Sequence, residues 1–98
     1  MESMGQLIYG TPSDSFDLDD RTLAHVEIVT LAKLRRNESF ALVLPAGTGR
    51  TTLWVSPVSS LQFRIDDAKQ EIDREWLDQL IEGANAPTGL RVEPKATA

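Results

Sequence analysis

Apolar and polar positions along the chain change their period several times, and each change marks an element. Gln6-Leu7-Ile8-Tyr9 is a short apolar run bounded by Gly5 and by Gly10-Thr11-Pro12, and it reads as a strand ending in a turn. Phe16 and Leu18 then alternate with Ser15, Asp17 and Asp19, the period-2 signature of a second strand. The two strands are expected to pair as a hairpin around Pro12, Ser13 and Asp14. From about Arg21 to Arg36 the period lengthens, and Leu23, Ala24, Val26, Ile28, Val29, Leu31, Ala32 and Leu34 wrap more than half of a helix. Asp19 or Asp20 can cap its first amides, and Lys33, Arg35 and Arg36 crowd the last turn, where cations suit the helix dipole. Asn37 suits a left-handed stop. A helix this apolar is expected to be buried on more than one side, under a curved sheet or partly in a subunit interface. It is expected to be the core of the domain.

Ser39 to Leu44 and Thr51 to Ser56 are β-rich runs separated by Pro45-Ala46-Gly47-Thr48-Gly49-Arg50, a spacing that predicts a hairpin with a glycine-containing loop. A strand from about Leu61 to Ile65 follows Pro57. A second helix should start near Asp73, which can cap it, and carry Trp76, Leu77, Leu80 and Ile81 as one apolar stripe, before Gly83, Asn85 and Pro87 end it. Leu90-Arg91-Val92 is a last short strand, and Pro94 to Ala98 reads as a loose, flexible tail. The predicted fold is α+β in the order ββαβββαβ, a mainly antiparallel sheet packed on a long first helix and a shorter second one. It is expected as a single domain over residues 1–98, with an ordered core of about residues 5–93.

Composition narrows the function. The chain has 98 residues, of which 41% are hydrophobic and 26% charged, within the globular range. With no cysteine there is no disulfide framework, thiolate metal site or Cys nucleophile, which fits a reducing compartment. The N-terminus lacks a basic stretch followed by an apolar run, and no window approaches the roughly 20 apolar residues of a membrane span. The expected address is the cytoplasm. A net charge of −5 disfavours a polyanion as the main partner, because such binding rests on Lys and Arg neutralising phosphates.

Each candidate for chemistry meets a simpler reading. Gly47-Thr48-Gly49-Arg50-Thr51-Thr52 resembles the end of a phosphate-binding loop, but Leu44 stands where the first glycine belongs and Arg50 where the lysine does. The residues that follow read as a strand, whereas such a loop opens a helix. His25 is the single histidine and reads as a structural side chain, on the surface of the first helix or semi-buried. Asp14, Asp17, Asp19 and Asp20 cluster as a magnesium site would, yet capping and the solvent face of the strand account for them. Trp54 and Trp76 read as core. No catalytic, cofactor-binding or metal-ligating residue is assigned, and no cofactor is expected. Lys33, Arg35, Arg36, Arg50 and Arg64 would form an anion or nucleic-acid patch if the helix end, the hairpin loop and the fifth strand converge.

Met4-Gly5-Gln6-Leu7-Ile8-Tyr9-Gly10, Asp20-Arg21-Thr22-Leu23-Ala24-His25, Lys33 to Phe40, Gly49 to Val55 and Ala84 to Leu90 resemble blocks in a group of short bacterial proteins of unknown function. The group comes mainly from Gram-positive bacteria of high GC content, and many members carry the label ATP-dependent DNA ligase. The likeness runs from Met4 to Pro94; Ser56 departs from it, standing where many members have His before the proline. Ligases of that class need a K-x-D-G motif whose Lys attacks ATP. Lys33, Lys69 and Lys95 are the three lysines, and none is followed by x-Asp-Gly. The expectation is therefore a non-enzymatic interaction or assembly module, self-associating or bound to a protein partner. The alternative is an accessory protein for nucleic acid.

Overall fold

The structure, a computed structural model, describes residues 3–92. The expected tail from Pro94, and Glu93 at the end of the expected core, lie outside the described residues. Six strands and two helices follow in the predicted order: β1 (Met4–Tyr9), β2 (Asp14–Asp19), α1 (Asp20–Arg35), β3 (Phe40–Ala46), β4 (Gly49–Val55), β5 (Leu61–Arg64), α2 (Arg74–Asn85) and β6 (Leu90–Arg91). The α+β class holds.

The strands form two three-stranded sheets rather than one. In the first the order is β2-β1-β5, all antiparallel, with Leu7 opposite both Phe16 and Phe63. In the second it is β4-β3-β6, with Leu42 opposite Leu53 on one side and Leu90 on the other. β1 has both edges filled, and so does β3, so the two central strands cannot bond each other. The chain crosses over through α2 before reaching β6, which lets β6 run parallel to β3. One bond links the sheets directly: the Tyr9 hydroxyl donates to the Trp54 carbonyl at 2.6 Å.

The core lies between the sheets and the inner face of α1. Leu7 and Leu18 come from the first sheet, Leu42, Leu44, Leu53 and Val55 from the second, and Leu23, Val26 and Val29 from α1. α2 closes it with Leu80 and Ala84. α1 is therefore buried along one face, and Ile28 and Leu31 point outward, 38% and 48% exposed. Its ends follow the sequence closely. The Asp19 carboxylate accepts from the Thr22 N–H, and Asn37 takes a φ of 57° after the last turn. The loop that mimicked a phosphate site is the turn of the β3–β4 hairpin. Gly47, at φ 61°, holds the first central position, where a type II′ hairpin needs positive φ.

Candidate functional site

The acids at the start of α1 do structural work. Asp17 lies exposed on β2 and accepts from Gln6 Nε2 at 3.2 Å. Asp20 is 1% exposed and does not cap the helix; its two carboxylate oxygens accept the Asp66 and Asp67 N–H groups at 3.2 and 2.8 Å. It thereby ties the segment between β5 and α2 to the helix N-terminus. Gly5 is needed beside it, since a Cβ there would run into the Arg64 carbonyl, Leu23 and Asp20 itself. Among the described residues no three His, Asp or Glu side chains gather as metal ligands would.

His25 sits deeper than a surface histidine, with no exposed area. Its Nδ1 lies 2.7 Å from the Arg21 carbonyl, and its Nε2 accepts the Asp73 N–H at 2.9 Å. A nitrogen that accepts a backbone N–H carries no hydrogen, so the bonds select the tautomer protonated on Nδ1. Trp76 lies against the imidazole, ring centroids 4.3 Å apart, and the Arg21 guanidinium lies 5.9 Å from the indole centre. Both ring nitrogens are thus engaged, Nδ1 on α1 itself and Nε2 in docking the start of α2 onto it.

The five basic residues do not share one surface. Arg64 lies beside Gly5, at the N-terminal end of α1, while Lys33, Arg35 and Arg36 occupy its other end. A 16-residue helix separates these ends by about 24 Å. Lys33 is only 12% exposed and bonds Asn85 Oδ1 at 2.8 Å and Glu38 at 3.4 Å, joining the C-terminal ends of both helices. Arg35 and Arg36 are exposed. Arg50 stands apart, on the outer face of the second sheet.

That outer face is the feature the sequence reading missed. Trp54, assigned to the core, is 62% exposed. The reason is strand parity: Leu53 and Val55 face inward, so Arg50, Thr52 and Trp54 face out together. Arg91, not among the residues singled out, lines a shallow groove with Arg50, Val43 and Pro45. Farther along the same face, Trp54 and Ala41 border an open groove of about 380 Å³ that reaches Lys33 and Asn85. No Asp or Glu occurs from Ser39 to Ile65. Asp66 to Glu82, by contrast, carries seven acids against Lys69 and Arg74. The charge is segregated by element, a signal legible in the sequence that the global net charge conceals.

The family model described as Domain of unknown function (DUF7882) matches residues 4–95. The chain belongs to that family. No curated protein and no solved structure matches it. Family membership thus carries no activity with it, and the surfaces of the domain have to be read for themselves. The two that stand out are the outward face of α1 and the outer face of the second sheet.

Proposed function

We propose that this domain is an assembly module that pairs with a second copy of itself through the outward face of α1. The observation that carries the reading is the apolar stripe left uncovered there. Ile28 and Leu31 lie one turn apart, Ala24 and Ala32 extend the stripe, and Ile81 of α2, 39% exposed, borders Ala32. Glu27 and Arg35 flank it with opposite charges. Two copies of α1 crossing antiparallel about a point between Val29 and Thr30 would set Ile28 against the other Leu31, and Leu31 against the other Ile28. Each Arg35 would then lie within a turn of the other Glu27. A patch that complements itself in both packing and charge is what a two-fold contact requires. One helix face about 24 Å long is smaller than the roughly 800 Å² per partner of a standard interface, so the pairing is expected to be reversible.

Substitution tests this directly. Leu31→Glu places a charge in the centre of the stripe without touching the core, and it should yield a folded monomer. Arg35→Glu should weaken the dimer and Glu27→Arg added to it should restore it. Self-association unchanged by Leu31→Glu would remove α1 from the account.

The acid-free span from Ser39 to Ile65 supports a second reading, an accessory role on nucleic acid, which would give the ligase label of the similar proteins a non-catalytic meaning. It predicts binding to single-stranded or nicked DNA that falls steeply between about 50 and 200 mM salt, with loss on Arg50→Glu plus Arg91→Glu. Absence of binding at low salt would end that reading.

A further inference from the structure

The second sheet has an edge that the fold leaves open. β4 is the outermost strand, and the register shows which of its backbone groups face away from β3. The Val43 carbonyl accepts from the Val92 N–H, so Val43 points its backbone toward β6 and forms a non-hydrogen-bonded pair with Thr52. Thr52 therefore turns its N–H and C=O outward, and by the same alternation so do Arg50 and Trp54. Pro45, opposite Arg50, fits this register because its missing N–H would have pointed away from β4. At the far end the Trp54 carbonyl is already taken, by the Tyr9 hydroxyl at 2.6 Å. No described residue bonds the outward groups of Arg50 and Thr52.

Natural edges of this kind are blunted by charge, proline or a covering element, because a bare row of N–H and C=O groups is a template for another strand. Here the blunting is partial and of one sign. Arg50 projects from the edge strand on the outer face, Trp54 lies two pleats farther along the same face, and no acid occurs anywhere on β3, β4 or β6. The remaining acids are concentrated on other elements, above all from Asp66 to Glu82. An incoming strand would meet unpaired backbone groups at Arg50 and Thr52, a guanidinium at one end and an exposed indole at the other.

We propose that the β4 edge takes an extended acidic segment of a protein partner by strand addition. The partner's backbone pairs with Arg50 and Thr52, a carboxylate side chain sits across from Arg50, and an apolar side chain lies on Trp54. Arg91 stands two strands in from the edge, so it adds to the positive field but does not touch the added strand. This pairing rests on the general reading of the domain as an interaction module and not on the α1 dimer; the monomeric Leu31→Glu protein should still bind.

The test uses the full chain and a synthetic peptide of about seven residues, a usual strand length, whose positions of one parity read Glu, Thr and Val, so that Glu lies across from Arg50, Thr from Thr52 and Val on Trp54. Binding is followed by NMR, with hydrogen exchange at the Arg50 and Thr52 amides. The expected result is slowed exchange at both amides and binding weakened about tenfold or more by Arg50→Glu, with a smaller effect from Arg91→Glu. Thr52→Pro should also abolish binding. Its N–H points away from β3, so the proline removes no bond of the existing sheet, and circular dichroism should show the fold intact. Three results would overturn the proposal: no binding, equal binding of the same peptide with Lys in place of Glu, or binding that Thr52→Pro leaves unchanged. A single-stranded oligonucleotide that binds with equal dependence on Arg50 and Arg91 would assign the face to a chain lying across the sheet instead.

Discussion

A buried polar atom is tolerated only when something answers it, and single residues of this domain fall on both sides of that rule. Asp20 is fully answered, with two backbone N–H donors on its carboxylate. Replacing it by Asn should lower stability by about 1–3 kcal/mol, because an amide nitrogen would face a backbone donor; urea denaturation measures this. Gly5→Ala should be at least as damaging, since three neighbours occupy the space a methyl group needs. Thr30 is the opposite case. Thr30 is 1% exposed and its Oγ1 finds no partner among the described residues, and nothing in the structure explains the hydroxyl. Thr30→Val keeps the shape and removes the unanswered group, so it should leave stability unchanged or raise it by about 1 kcal/mol in the same assay. Residue roles of this kind were only half legible. An acid as the cap follows from position, which leaves Asp19 and Asp20 as equals, whereas Asp20 works through residues 46 and 47 positions away, which local pattern does not show.

At the scale of elements, the start of α2 is fastened to α1 around one side chain. His25 bonds Arg21 on its own helix and the Asp73 N–H at the start of the other, and Trp76 lies against its ring. His25→Phe keeps a planar ring but leaves the Asp73 N–H without this acceptor. It should destabilise the domain by about 2–3 kcal/mol, and exchange of the α2 amides should rise first. The elements themselves were readable: both caps, the β1–β2 and β3–β4 hairpins and the final strand all follow from period and turn residues. Their assembly into two sheets was not. It depends on β5 pairing with β1 and on β6 pairing with β3, contacts far apart in sequence that no local pattern encodes. Trp54 was misplaced for a narrower reason. Tryptophan is commonly core, but on β4 the alternation with Leu53 and Val55 sets its side outward, and that parity was visible in Arg50-Thr51-Thr52-Leu53-Trp54-Val55.

For the whole molecule, the distribution of charge and apolar surface matters more than their totals. A net charge of −5 describes a domain whose acids crowd Asp66 to Glu82 and are absent from its second sheet. The apolar excess of α1, expected to be covered on more than one side, ends as an outward stripe of Ile28 and Leu31 with Ala24 and Ala32. Covering that stripe with a second copy is the central claim, and sedimentation equilibrium of the wild-type chain over a wide concentration range tests it most directly. The account predicts a reversible monomer–dimer equilibrium that Leu31→Glu shifts to monomer while the fold is kept. A strict monomer at every concentration would contradict it.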